Sequence, residues 1–191
     1  MIKFFYKLIL IVRANFSINI EKMSEKKKPE EEEAGGLDED GSTGEIELTS
    51  KGGDKKKLPK KHAMISQLVK QALEQDSDAT EVPLPSVSSA ILDEVVKFMQ
   101  HHEGEEPPII PKPLRSKEMK DVCYDPWDAA YIDTIGKDRQ KLYDLILAAN
   151  YMDIKSLLHL GCAKVASLIK GQPLEKIKEI LQSEKRKNGS A

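Results

Sequence analysis

The chain has 191 residues, of which 39% are hydrophobic and 32% are charged, and this supports one domain of ordinary size with flexible flanks. Its formal net charge is −2 and only 5% of its residues are aromatic, so neither charge nor stacking side chains indicate a nucleic-acid partner. Cys123 and Cys162 lie far apart and without histidines at metal-ligand spacing, which indicates reduced thiols and a cytoplasmic and nuclear protein.

Residues 1–43 are predicted to be a disordered N-terminal extension. No membrane partner is expected, because the apolar run 8–12 is too short to span a bilayer. The absence of acidic residues before Glu21 leaves a mitochondrial presequence open. The charged segment MSEKKKPEEEE, which begins at Met23, is typical of an intracellular N-terminus. We therefore interpret Met23 as the working start and residues 1–22 as a segment that is not translated.

Two strands are predicted at the start of the domain. GEIELTS, residues 44–50, alternates apolar and polar residues, as a half-buried strand does. The next segment, KKKLPKK, is charged and contains Pro59, so it is predicted to be an edge strand at best. We interpret its lysines as a charged turn and edge, in preference to a nuclear-import or nucleic-acid patch.

Two helices and a short extended segment are predicted next. The apolar residues from Ala63 to Leu73 share one helical face and predict a helix. The prolines of EVPLP predict a short extended segment. Ser86 is predicted to cap a second, amphipathic helix that ends near His101-His102.

A long loop separates these elements from the C-terminal helices. Residues 103–124 hold four of the ten prolines of the chain together with mixed charges, which predicts a flexible surface loop. Trp127 begins a short helix that is predicted to reach Ile132. We interpret the Trp127 side chain as a core or edge anchor, because tryptophans usually bury their bulk.

The segment LYDLILAANYMDIKSLL, residues 142–158, predicts a helix–turn–helix hairpin. Its turn, residues 150–153, would present an amide and a phenol, with Asp153 placed to cap the second helix. Gly171 is predicted to end that helix and Pro173 to begin a last one, ahead of a basic tail. The order of elements predicts an α/β fold in which helices cover a small sheet.

Candidate catalytic and metal-binding groups are few. His101 and His102 are adjacent, so on a helix they point about 100° apart and are predicted not to converge on one metal ion. Solvation of a helix end, where cations are favourable, is the preferred interpretation of both, and His159 is predicted to lie on the surface. No Ser–His–Asp order, glycine-rich phosphate loop or nucleophile elbow is present in the sequence. We therefore predict that the chain is not an enzyme and has no cofactor and no metal.

Four segments resemble the Skp family, the adaptor subunits of SCF (Skp–cullin–F-box) ubiquitin ligases. They are EIELTS with its glycine-rich turn, HAMISQLVKQAL, EVPLPSVSSAILDEVVKFMQHH and LYDLILAANYMDIKSLLHLGCAKVASLIKG. Together with PWDAAYID they extend the resemblance over residues 45–181. It implies a BTB/POZ-type α/β domain related to elongin C over residues 44–170. It also implies a C-terminal F-box-binding helical extension, truncated here, over residues 171–191.

The resemblance implies a bridging function. One face of the domain would bind a cullin N-terminal domain, and the C-terminal helices would bind F-box proteins that carry substrates to ubiquitination and proteasomal degradation. The positions that match cullin contacts are Asn150, Tyr151 and Met152. The positions that match F-box contacts are Ile169, Gly171, Pro173, Ile177 and Leu181. Purely structural roles, in capping the turn and in packing the helices, remain the alternative for both sets.

Three departures from the family pattern affect this interpretation. Lys56 and Lys60 occupy usually apolar positions, which places the edge of the sheet in question. Met152 replaces a leucine, a change that the adaptable methionine side chain tolerates. SEKRKNGSA follows Leu181 where the family has an acidic helix and a terminal helix, so F-box binding is expected to be weaker, narrower or lost.

Two other functions stay open at the level of sequence. One is a decoy or structural BTB-like protein that binds a cullin, or itself as a weak homodimer, without recruiting an F-box protein. The other is a metal- or nucleotide-dependent enzyme, for which scattered histidines and glutamates are the only support.

Overall fold

A computed structural model describes residues 44–181, with only the backbone described for Glu179 and Leu181. The elements in chain order are β1 (Glu45–Thr49), β2 (Lys55–Pro59), α1 (Lys60–Ala63), α2 (Gln67–Gln75), β3 (Glu81–Pro83), α3 (Ser89–His102), α4 (Pro126–Ile135), α5 (Arg139–Tyr151), α6 (Lys155–Ile169) and α7 (Leu174–Leu181). A short 3-10 helix, Met119–Asp121, precedes α4. The predictions for residues 1–43, for a start at Met23 and for the tail 182–191 lie outside the described residues.

The sheet has three strands in the order β2-β1-β3. The central strand β1 pairs antiparallel with β2 and parallel with β3. Its Ile46 and Leu48 are fully buried, whereas β2 buries only Leu58. A small sheet with several packed helices confirms the predicted α/β class, and the edge position of β2 confirms the prediction from Pro59.

The lysines of β2 are paired with carboxylates. The Lys55 ammonium lies 2.7 Å from a Glu81 oxygen and 3.2 Å from a Glu47 oxygen. Lys56 lies 2.6 Å from an Asp93 oxygen, which explains how a lysine is accommodated at a usually apolar position. Exposed pairs of this kind contribute little to stability. They do neutralise the strand, which agrees with a charged edge and not with a nucleic-acid patch.

The helix predicted from Ala63 to Leu73 is divided in two, so the prediction of one continuous helix is wrong. α1 ends at Ala63 and α2 begins at Gln67. Ser66 is the N-cap of α2, and its hydroxyl accepts a hydrogen bond from the Val69 N–H. Because the serine hydroxyl accepts from a backbone N–H that has no partner within the helix, it stabilises the start of α2.

The start of α3 also differs from the prediction. The N-cap position is Ser88 and not Ser86. The Val87 N–H donates to the Leu84 carbonyl, and the Val87 carbonyl accepts from the Lys51 N–H. These bonds hold Val87 to the segments that follow β1 and β3, and the helix begins after it.

The C-terminal helices begin close to the predicted positions. α4 starts at Pro126, one residue before Trp127, and continues past Ile132 to Ile135, with Asp125 as its N-cap. Gly171 follows the end of α6 with φ of +69°, which confirms its predicted role as a C-terminal glycine. Pro173 lies immediately before α7, where its carbonyl accepts a hydrogen bond from the Ile177 N–H.

The loop 103–124 does not lie wholly on the surface, because it is attached to the domain at several points; its flexibility stays a prediction. Ile110, Met119 and Val122 are buried. The Lys170 ammonium donates to the carbonyl oxygens of Leu114, at 2.5 Å, and Arg115, at 3.0 Å. Within residues 44–181, none of the helices is both long enough and apolar enough to cross a bilayer.

Candidate interaction surfaces

The hairpin turn between α5 and α6 packs against the start of α2. The Ser66 hydroxyl donates to the Met152 carbonyl at 2.6 Å while it accepts from the Val69 N–H. The Leu68 N–H donates to the same Met152 carbonyl at 3.3 Å. Ser66 is fully buried, so these bonds are shielded from water. A single hydroxyl therefore both caps α2 and holds the turn.

Asn150 and Tyr151, which we call the turn surface, are the last two residues of α5. Tyr151 is 36% exposed and Asn150 is partly exposed. Met152 is 0% exposed, so its predicted role as a cullin contact is corrected: its side chain packs inside the domain and offers nothing to a partner. Of the three predicted contacts, Asn150 and Tyr151 have side chains that a partner can reach, and their role as contacts stays a prediction.

Asp153 does not cap α6, and that prediction is wrong. The N-cap position is Ile154, which has no side-chain cap bond. Asp153 has a φ of +50°, a left-handed conformation that aspartate adopts more readily than most residues. This conformation reverses the chain direction, and the Asp153 carbonyl then accepts from the Gln67 N–H at 3.4 Å.

Sequence reasoning missed Met64 as a candidate for a surface contact. It lies two residues before Ser66 and is 36% exposed. A continuous helix would have hidden this feature. Its exposure follows from the break between α1 and α2, and the only signal in the sequence was a serine at a cap position.

The second predicted surface lies where α6 ends and α7 begins, and we call it the terminal surface. Its members are Ile169, Gly171, Pro173, Leu174 and Ile177. Gly171 and Pro173 are exposed, whereas Ile169 and Ile177 are partly exposed. Leu174, which the sequence-based set omitted, is 66% exposed. The side chain of Leu181, the remaining predicted contact, lies outside the described side chains.

The terminal surface is held by a small number of polar contacts. The Tyr143 hydroxyl donates to the Ile180 carbonyl at 2.8 Å. Burial raises the pKa of Tyr143, so the phenol keeps its proton and remains a donor at neutral pH. The ammonium of Lys117 lies beside Gly171, 3.0 Å from where a β-carbon would be. α7 is therefore bonded to α5, the loop contacts the glycine that precedes α7, and the Leu174 side chain is exposed.

One helix connects the two surfaces. Tyr143 and Tyr151 both belong to α5, and eight helical residues correspond to about 12 Å along its axis. α6 packs closely on α5, because a β-carbon at Gly161 would lie 2.6 Å from Ile146 Cγ1. The hairpin is thus a closely packed connection between two separate exposed regions.

The two cysteine thiols are poorly suited to nucleophilic chemistry. Burial raises the pKa of Cys162, and burial together with nearby carboxylates raises the pKa of Cys123 to about 11. Both thiols are free and protonated at neutral pH, which makes them poor nucleophiles. The sequence predicts His159 to lie on the surface, but the residue is half-buried. This burial lowers the pKa of its imidazole.

His101 and His102 are not simply a solvated helix end, so that interpretation is wrong. His102 Nε2 lies 2.9 Å from an oxygen of buried Asp128, and His101 Nε2 lies 2.7 Å from an oxygen of Asp125. The His101 ring stacks on Trp127 with 3.9 Å between ring centroids. Trp127 also stacks on Tyr131. The tryptophan is therefore a half-buried anchor, which agrees with its prediction.

Comparison with known proteins relates these elements to one family. Residues 45–104 match the family model described as "Skp1 family, tetramerisation domain", and residues 155–185 match "Skp1 family, dimerisation domain". The S-phase kinase-associated protein 1 homolog of Tetrahymena thermophila is 40% identical over 117 residues, which cover 61% of this chain and 69% of that protein.

Two fungal proteins add a longer match. The E3 ubiquitin ligase complex SCF subunit sconC of Arthroderma benhamiae is 36% identical over 139 residues, which cover 72% of this chain and 82% of that protein. The sconC subunit of Emericella nidulans is 35% identical over 133 residues, which cover 69% of this chain and 80% of that protein. The two family matches include the sheet at one end of the chain and α6 and α7 at the other.

Proposed function

This chain belongs to the Skp1 family, and we propose that it is an adaptor subunit of an SCF ubiquitin ligase that links a cullin scaffold to F-box substrate receptors. In this role the chain binds two proteins and performs no catalytic step of its own. The observation that supports the proposal best is that two exposed regions lie apart from each other, one at the C-terminal end of α5 and the other where α6 passes into α7, with Tyr143 of α5 bonded to α7.

The turn surface suits a rigid partner such as the N-terminal domain of a cullin. Tyr151 offers an amphipathic ring and Asn150 a donor and an acceptor, the kinds of group that anchor interfaces. Beneath them, the bonds from Ser66 and Leu68 to the Met152 carbonyl fix the backbone before any partner arrives. Little ordering is therefore required on binding, which favours affinity.

The terminal surface suits the helices of an F-box protein. Leu174 is largely exposed although it lies on the same side of α7 as partly buried Ile177, three residues later. Exposed apolar side chains on an amphipathic helix mark a face that another element covers. Without an F-box protein, the same face would account for weak self-association. We also propose a cytoplasmic and nuclear location, since both cysteines are free thiols.

The test is a binding experiment on the full 191-residue chain with a purified cullin N-terminal domain and, separately, an F-box peptide. We expect the chain to bind both, alone and together. Tyr151→Ala should lose the cullin and keep the F-box peptide, and Leu174→Glu should do the reverse. Each variant thus shows, through the partner that it retains, that it is folded.

Two outcomes would contradict the proposal. Binding to the cullin alone would describe a decoy and not an adaptor. Binding to neither partner by a folded chain would remove the adaptor function altogether. Simultaneous loss of both partners in either single variant would show that the two surfaces are not independent.

A further inference from the structure

Three candidate metal ligands meet where α3 ends and α4 begins. His101 and His102 are the last two residues of α3, and Asp125 is the N-cap of α4. Their ligand atoms all lie within 4.8 Å of one another. The sequence-based prediction that adjacent histidines cannot converge is therefore wrong. The helix ends directly after them, where Glu103 takes a left-handed conformation with φ of +50°.

The spacing fits a transition-metal ion after a small adjustment. Three atoms within 4.8 Å of one another lie no more than about 2.8 Å from a common point, compared with zinc–ligand bonds of about 2.0–2.2 Å. The ligand atoms thus need to shift by less than about 1 Å, and the 2.7 Å hydrogen bond between His101 Nε2 and Asp125 would open to admit the ion. His101 is exposed and Asp125 is partly exposed, so both side chains have room to make this movement.

The surroundings hold the ligands in orientation. The Trp127 N–H donates to Asp125 at 2.7 Å, and the Trp127 ring stacks on His101. The ring of His102 packs against Phe98, with 4.4 Å between centroids, and His102 Nε2 lies 2.9 Å from an Asp128 carboxylate oxygen. A histidine that ligates a metal usually directs its second ring nitrogen to such a carboxylate, which fixes the orientation of the imidazole.

We propose that His101, His102 and Asp125 form a binding site for a divalent transition-metal ion of the Zn²⁺ class. Two imidazoles and one carboxylate suit Zn²⁺, Co²⁺, Ni²⁺ or Cu²⁺, whereas Ca²⁺ and Mg²⁺ prefer all-oxygen ligands. Solvent would complete the coordination. The ion would join α3 to α4 across the loop 103–124, so its binding would stabilise the folded chain. This inference does not depend on the adaptor function.

A tryptophan beside the proposed site allows metal binding to be followed by fluorescence. Trp127 is its single tryptophan and stacks directly on His101. The full chain, first freed of metal by a chelator, is titrated with ZnCl₂ in a calorimeter and with CuCl₂ while tryptophan fluorescence is recorded. We expect one ion per chain, a fluorescence change that saturates with it, and a higher melting temperature in the presence of Zn²⁺.

Two variants and one control locate the ion. Asp125→Asn keeps an N-cap that is as good as aspartate but removes the charged ligand, and His101→Gln removes an exposed imidazole. Each should weaken Zn²⁺ binding by about tenfold or more. His159→Gln changes a histidine outside the cluster and should bind like the unmodified chain.

Circular dichroism establishes that each variant is folded. Equal affinity in His101→Gln and in the unmodified chain would place the ion elsewhere and overturn the proposal. The absence of saturable Zn²⁺ binding to the unmodified chain would overturn it as well. His101→Gln lies at an exposed position that caps no helix, so it keeps the proposal testable even if Asp125→Asn fails to fold.

Discussion

The turn surface and the terminal surface are built on opposite principles although α5 connects them. Under the turn surface, Met152 and Ile154 are fully buried and Ser66 supplies shielded hydrogen bonds. At the terminal surface, Leu174 is 66% exposed, and a hydrogen bond from the Tyr143 hydroxyl to the Ile180 carbonyl links α5 to α7. The first is complete before it meets a partner, whereas the second leaves apolar area uncovered.

This difference bears on how each surface gains affinity. A preformed surface loses little conformational entropy when a partner binds. Each of its few exposed groups can therefore contribute most of its interaction energy to the affinity. A surface with uncovered apolar side chains gains mainly by removing them from water. We therefore expect a few side chains to dominate at the turn surface, and buried area to dominate at the terminal surface.

The largest expected effect is the loss of cullin binding on joint replacement of Asn150 and Tyr151 by alanine. If these two groups are the anchors of a preformed surface, their removal should cost about 2–4 kcal/mol of binding free energy, measured by calorimetry. Thermal stability should change little, because both side chains are at least partly exposed. Leu174→Ala is the matched control and should bind the cullin normally. A parallel fall in melting temperature would show that the pair holds the hairpin together.

The next largest effect is expected from Ser66→Ala, which tests whether the turn surface is preformed. The change removes a helix cap and leaves the Met152 carbonyl without its hydroxyl donor, so unfolding should become easier by about 2 kcal/mol in urea titrations. Cullin affinity should fall as well, since the support of Asn150 and Tyr151 is loosened.

Ser88→Ala supplies the comparison for Ser66. Ser88 also occupies an N-cap position, but its side chain makes no cap bond. Its replacement should therefore change stability much less. If the two serine variants were equally stable, the buried hydroxyl would not hold the turn.

Much of this architecture is readable from the sequence, and the exceptions share a cause. Helical spacing gave α5, α6 and α7 to within a few residues, and Pro59 gave the edge strand. The break at Ser66 was missed because Ile65, Leu68 and Val69 keep a helical period across it. The Ser66 hydroxyl that caps α2 also donates to the Met152 carbonyl, and this contact with a residue distant in sequence is invisible to local periodicity.

The candidate sites show the same limit. Family resemblance pointed to the 150–152 segment, but only the fold shows that Met152 faces inward. The ligand atoms of His101 and His102 come close together because α3 ends at these residues. Asp125 lies beside them because the long loop 103–124 returns the chain to the end of α3. Local periodicity describes elements well, whereas sites made by distant segments require the packing itself.

A smaller effect is expected from Gly171→Ala at the terminal surface. The φ of +69° is left-handed, so an added β-carbon costs about 1 kcal/mol, and it would also displace the Lys117 side chain. F-box affinity should fall while cullin affinity is unchanged, which would separate the two surfaces energetically. Gly44→Ala is the control, because its β-carbon would make only ordinary contacts with Lys60. Equal losses for both partners would contradict the separation.

The smallest expected effect concerns His159 on α6, the helix that leads from the turn surface to the terminal surface. Burial lowers its pKa below the ordinary value of 6.5, and Lys112 and Lys155 lower it further. The unfolded chain therefore binds more protons than the folded chain as pH falls through that value. This difference in proton binding lowers the stability of the folded chain. The loss is absent well above a pH of 6.5 and grows as the pH falls toward the folded-state pKa of His159.

Urea unfolding at about pH 7.5 and about pH 5.5 measures this loss. His159→Gln should lose less stability between the two values than the unmodified chain, and the difference should be small because the imidazole is only half-buried. Glu94 and Asp125, whose pKa values are lowered, release their contributions only at more acidic pH and do not enter this window. If the variant and the unmodified chain lose the same stability between the two pH values, protonation of His159 does not destabilise α6. Any weakening of partner binding over this pH range would then have to arise from another group.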